Sequence, residues 1–164
     1  MARTLIAIAL LIAGLAVIWA RQEGPLRDPH AAFDDFELGS ERAEDQLTDP
    51  LVLAGPRVRP LVLVAIANPT MPKRRYAISY LGCSHYRPAL PQLLLILGNE
   101  DEQDYFRADA LEAAWLTDPP EGRHLAAVHA DRTDFLGKVA AEIQHGTWKP
   151  YCRSWLDAFR GTHD

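Results

Sequence analysis

A chain of 164 residues, 48% hydrophobic and 24% charged, agrees with one folded domain on a stalk. Its net charge of −5 and pI near 5.6 leave no global electrostatic case for nucleic-acid binding. No glycine-rich phosphate loop stands out, so nucleotide binding has no support, and neither an internal repeat nor a low-complexity tract is legible.

From Leu5 to Ala20 there is no charged or strongly polar side chain, and Arg3 and Arg21 bracket the run. A helix from Thr4 to Ala20 would measure about 25 Å against a hydrocarbon core of about 30 Å, and snorkelling of the two arginines makes up the difference. Trp19 stands where an interfacial aromatic belongs. A cleaved secretory signal shares this layout, but small residues are poorly placed for cleavage. Gly14-Leu15-Ala16 lies inside the run, and Ile18-Trp19-Ala20 lacks the small-x-small spacing. Residues 1–21 are therefore expected to be a transmembrane signal-anchor. No cysteine follows the run to receive a lipid. Arg3 and the terminal amine balance Arg21 and Arg27, so charge alone does not orient the span. A short tail ahead of an apolar run is the layout that exports the remainder. The arginine bias suits a GC-rich bacterial genome, so the expected location is a bacterial inner membrane, crossed once, with the C-terminal domain in the periplasm.

Residues 22–60 carry Asp28, Asp34, Asp35, Glu37, Glu41, Glu44, Asp45 and Asp49 among prolines and few large apolar groups. Such a segment buries too little surface to offset its ordering entropy, so an acidic proline-containing linker is expected. A short helix within 31–47, with Phe33, Phe36 and Leu47 as apolar contacts, is the alternative and would suit partner binding.

Residues 61–164 are expected to fold as an extracytoplasmic α/β domain: a small mixed sheet of about four strands covered by about three helices. Leu61 to Ala67 and Leu93 to Leu97 are continuous apolar runs of the kind found in strands covered on both faces. Tyr76 to Leu81 alternates, as a strand nearer an edge would. Leu125 to Val128 is the fourth strand candidate. One helix is expected to run from a cap at Asn99 through Tyr105, Ala108, Leu111 and Trp115 to Asp118-Pro119-Pro120. A second is capped by Asp131 or Thr133, carries Leu136, Val139, Ala140 and Ile143, and stops at Gly146. A third follows Pro150, with Cys152, Trp155, Leu156 and Phe159 at helical spacing.

Cys83 and Cys152 lie in no C-x-x-C pair, which disfavours a thioredoxin-type motif and a zinc knuckle. In an exported domain a disulfide is the economical reading, with about 4 kcal/mol from chain entropy. Two buried thiols or a reactive cysteine are the alternatives. Gly82-Cys83-Ser84-His85 resembles a displayed nucleophile beside a base, but the G-x-S-x-G spacing is absent and loop polarity accounts for it. In a parallel sheet the strand ends would gather Asn99, Glu100 and Asp101 with His129, Asp131 and Asp134 into a cleft. Those oxygens could hold a divalent cation, and the same residues are equally good helix caps. No metal or other cofactor is expected. His124, His129 and His145 show no ligand-pair spacing.

Lys73-Arg74-Arg75 is the only basic run and is expected in a solvated loop, or against an acidic partner or anionic lipid, with Tyr76, Tyr80, Tyr86 and Trp148 as aromatic anchors. These observations favour a non-enzymatic single-pass protein that contacts the lipid bilayer and other membrane or envelope proteins. A membrane-anchored hydrolase or metal-dependent enzyme at the strand ends, and a secreted binding protein, are the alternatives.

Overall fold

The computed structural model describes residues 28–39 and 42–160, and within them every regular element is helical. The expected mixed sheet is overturned: the described residues contain no strand. Prolines explain much of the difference. They stand in the first turn of α1 (Pro29–Leu38), α2 (Asp49–Ala54), α3 (Arg59–Ala65), α5 (Leu90–Gly98) and α7 (Pro119–His129). There the missing N–H is no loss and the fixed φ suits a helix, so these prolines start elements rather than break them. The short apolar runs after Pro60 and Pro91 are α3 and α5, because a fully buried strand and a buried helix look alike over five to seven residues.

The remaining helices are α4 (Arg74–Cys83), α6 (Asp104–Thr117), α8 (Phe135–His145) and α9 (Trp155–Arg160). In α4 the supposed alternation is helical, for Ala77, Ile78, Tyr80 and Leu81 are buried and Ser79 is not. Leu125 to Val128 belongs to α7. The expected helices at 104–117 and 135–145 are present, but their caps differ. Gln103 precedes α6 without a side-chain cap, and Asp134, not Asp131 or Thr133, accepts from Gly137 N at 3.0 Å to cap α8.

Helices α3–α4, α5–α6 and α7–α8 form successive hairpins, and α4, α6 and α8 lie side by side with α6 in the middle. Backbones touch where glycine permits it. A Cβ on Gly82 of α4 would meet Ala113 Cα at 2.5 Å, and one on Gly122 of α7 would meet Trp115 Cα at 2.1 Å. This is the stacking logic of helical-repeat proteins, in which each hairpin buries its apolar side against the next.

The first two hairpins repeat one local device. The buried Arg74 donates from Nε to Ile66 O at 2.9 Å, and the buried Arg107 donates from Nε to Leu97 O at 2.9 Å. Two residues after each carbonyl stands an asparagine, Asn68 or Asn99, whose Oδ1 accepts from the N–H of Thr70 or Asp101 at 3.1 Å. Each guanidinium thus satisfies a carbonyl at the end of the preceding helix, which would otherwise be orphaned in the core. The repeat is invisible to a fixed-period comparison because the second connection is two residues longer: Asn68 to Arg74 against Asn99 to Arg107.

The boundary expected at Pro60 does not divide a linker from a domain within the described residues. Ala32 and Phe36 of α1, Leu51 and Ala54 of α2, and Val58 all lie in the common core. Helix α1 packs on α2, and α9 returns from the far end of the chain to pack on α2 as well. Among the described residues no helix is long and apolar enough to cross a membrane. The expected span at Leu5 to Ala20 lies outside them.

Candidate interaction surface

Cys83, the last residue of α4, and Cys152, ahead of α9, form the expected disulfide, with Cα atoms 5.4 Å apart. Beside it Arg153 grips Asp49 at the start of α2 with two hydrogen bonds of 2.7 and 3.1 Å. Bond and ion pair together clamp the C-terminal segment across the N-terminal helices. Such a disulfide fits an oxidising, extracytoplasmic setting.

The basic run is not a solvated loop. Lys73 Nζ donates to the Phe36 and Gly39 carbonyls at the end of α1, a cation placed where helix carbonyls are unsatisfied. Arg74 pairs with Glu102 at 2.5 Å, and Arg75 with Asp109 at 2.7 Å. The proposed aromatic anchors are likewise engaged. Tyr76 donates to Glu44 at 2.7 Å, Tyr80 is buried with its hydroxyl against the Leu51 and Gly55 carbonyls, and Tyr86 and Trp148 pack partly buried on the core. These residues hold the helices to one another, through α1, Glu102, Asp109, Glu44 and the α2 carbonyls.

In the Gly82 to His85 turn, Ser84 Oγ donates to Leu81 O at 3.1 Å, and His85 Nδ1 lies 2.7 Å from Leu116 O. Each side chain is therefore tied to a different helix carbonyl, and neither addresses the other.

The loops bearing Asn99, Glu100, Asp101, His129 and Asp131 do meet, but as helix connections rather than strand ends. Phe135 N donates to Asp104 Oδ2 at 2.9 Å, joining the starts of α6 and α8. Asn99 holds its own turn, Glu100, Asp101 and Asp131 are exposed, and Arg132 chelates Asp134. Burial lowers the His129 pKa, and the charges of Arg107 and Arg132 push the same way. Among the described residues no three acidic, histidine or cysteine groups converge as metal ligands.

One carboxyl in the helical stack is strongly perturbed. Burial, followed by the charge of Asp109, pushes Glu112 up to about 7, opposed by the Trp148 indole N–H and by Arg75. The Trp148 Nε1 is buried without a hydrogen-bond partner at full geometry, so it leans on this carboxyl only loosely. An unfolded chain ionises Glu112 near pH 4.5, while the folded protein holds the proton to about pH 7. Stability from this group therefore falls as pH rises across that window, and the loss is complete above it. Glu112→Gln should remove the slope, raising the urea midpoint more at pH 8 than at pH 5. Equal midpoint changes at the two pH values would contradict the shift.

Large apolar side chains that remain exposed mark a second face. Val64 of α3, Leu95 of α5 and Val128 of α7 are 76, 67 and 68% exposed. Val64 and Leu95 each stand two residues before the carbonyl that the buried arginine binds, so they are equivalent positions of the repeat. Around Val64 and Leu95 the residues Pro60, Ala67, Pro91 and Gly98 are exposed and uncharged, and beside Val128 stand the exposed Ala127 and His124. Sequence reasoning missed this stripe because it assigned 61–67 and 93–97 to strands covered on both faces. The available signal was Pro60 and Pro91, each four residues before the exposed Val64 or Leu95. No known protein family, curated protein or solved structure matches this chain.

Proposed function

We propose that this protein is a membrane-anchored contact module, in which a disulfide-clamped helical-repeat domain outside the cytoplasm binds a protein partner of a membrane or envelope assembly. The observation that carries this reading is the recurrence of an exposed apolar residue at Val64, Leu95 and Val128 on the first helix of each hairpin. A lone exposed valine or leucine is ordinary, whereas an exposed apolar residue recurring on the first helix of successive hairpins is the kind of feature that repeat proteins present to ligands. The apolar run of Leu5 to Ala20 supports the anchor, and the disulfide supports export to the periplasm of a bacterium.

The test is Leu95→Asp, alone and with Val64→Asp, in the full chain expressed at native level. Both sites are exposed, so the thermal midpoint should stay within about 2 °C of the parent. Gentle purification should recover a stoichiometric partner with the parent chain and lose it with the double variant. Retention of every partner by the double variant would refute the stripe as the binding face.

A further inference from the structure

Helix α9 presents an apolar surface separate from that stripe. At helical spacing Trp155, Phe159, Leu156 and Arg160 follow one another around one continuous arc, while Ala158 is turned into the protein. Trp155 is 43% exposed and Leu156 50%, and Tyr151, just before the helix, is 63% exposed. The rings of Trp155 and Phe159 lie nearly parallel, with centroids 5.2 Å apart and 12° between their planes, so the pair forms one stacked aromatic plate. Asp157 lies off the arc, with its carboxylate bound to the Ser154 hydroxyl. Tryptophan and tyrosine beside an arginine whose charge stays in water is the composition that settles at the headgroup level of a bilayer.

The location of this plate points to the same occupant. Helix α9 packs on α2, and α2 packs on α1, so the plate belongs to the N-terminal end of the domain. From the end of the apolar run at Ala20 to the cap of α1 at Asp28 the chain has eight residues, 21–28. Fully extended they reach at most about 27 Å. An anchored chain therefore keeps the start of α1 within about 27 Å of the membrane surface, and α2 and α9 follow it by packing on one another. We propose that the α9 arc docks on the lipid bilayer that holds the anchor, with Trp155, Leu156 and Tyr151 entering the headgroup region. This rests on the anchor reading given above. The disulfide and the Arg153–Asp49 pair hold α9 rigidly to the body, so docking orients the whole domain and not merely its tail. The exposed side chains of the arc are mostly apolar, so burial of apolar surface drives the contact, and zwitterionic lipid suffices.

The experiment reconstitutes the full chain into phosphatidylcholine vesicles, plain or brominated in the acyl chains, and reads quenching of tryptophan emission. The chain has four tryptophans: Trp19 reports the anchor, Trp155 the docking, and Trp115 and Trp148 are partly buried in the domain. Trp155→Phe, which keeps an aromatic ring on Phe159, and Trp19→Phe should each remove a separate share of the bromolipid-quenchable emission. Leu156→Asp, which keeps all four tryptophans, should lose the Trp155 share. If Trp19→Phe abolishes quenching while Trp155→Phe and Leu156→Asp change nothing, the anchor stands and the docking is overturned. If Leu156→Asp instead disperses a dimer while Trp155 stays unquenched, the arc belongs to a second copy and bilayer docking is likewise overturned. Failure of the chain to float with vesicles, with no quenching at Trp19, overturns the anchor reading and the docking with it.

Discussion

Replacing both Cys83 and Cys152 by serine should lower the unfolding free energy by about 4 kcal/mol and the thermal midpoint by roughly 12–15 °C. The bond closes a loop of 69 residues, and in the unfolded chain that loop excludes a large set of expanded conformations. It also joins the end of α4 to the segment that enters α9, so its loss removes the covalent half of the clamp over α2. The Arg153–Asp49 pair remains, and Asp49 holds the Arg153 guanidinium still more firmly protonated than usual. The tail should therefore stay docked at low temperature and release before the helical stack melts. Urea unfolding of oxidised, reduced and double-serine protein measures the effect, and hydrogen exchange across 147–160 locates it. Coincident unfolding curves for the three forms would show that the unfolded chain is already compact around this loop.

Arg74→Met should cost about 3 kcal/mol, and Arg107→Met somewhat less. Both guanidinium groups are buried and each satisfies one helix-end carbonyl, but Arg74 also neutralises Glu102, a carboxylate almost fully withdrawn from water. Removing Arg74 leaves that charge with no counter-ion inside the stack, whereas removing Arg107 orphans only the Leu97 carbonyl. Adding Glu102→Gln to Arg74→Met should restore more than about 1 kcal/mol, because the amide tolerates the site without a counter-charge. A double-mutant cycle from urea midpoints decides it. Additive losses would mean that Glu102 reaches water and that the pair contributes little.

Two of the helices were legible in the sequence. The spans 104–117 and 135–145 are long enough for several turns of periodic apolar residues, and over that length a 3.6-residue period is distinct from a two-residue one. Gly146 ends its helix in the left-handed conformation that glycine adopts freely. The cysteine pair was legible because two isolated cysteines in an exported chain have few other uses. The short runs were not legible as helices: Leu93 to Leu97 is buried at some positions and exposed at Leu95, a distinction that depends on which neighbour covers each side. Residues 28–60 misled for a related reason. Their buried apolar groups, among them Ala32, Phe36, Leu51, Leu53, Ala54 and Val58, are insufficient for a core of their own, and α3 packs on α1 and α9 on α2 to complete it.

Lys73, Arg74 and Arg75 show where local reading ends. Three consecutive cations read as a surface patch, since chemistry close in sequence places them in water. In the fold each turns in a different direction, one to the α1 carbonyls, one into the core beside Glu102, and one to Asp109 on α6. Composition, periodicity and the spacing of prolines and cysteines act over a few residues or through covalent pairing, and so they were readable from the chain alone. The repeat of the buried arginines, the stripe at Val64, Leu95 and Val128, and the plate on α9 exist only once hairpins stack and the C-terminus returns to α2, because burial and satisfied carbonyls are properties of neighbours far apart in sequence.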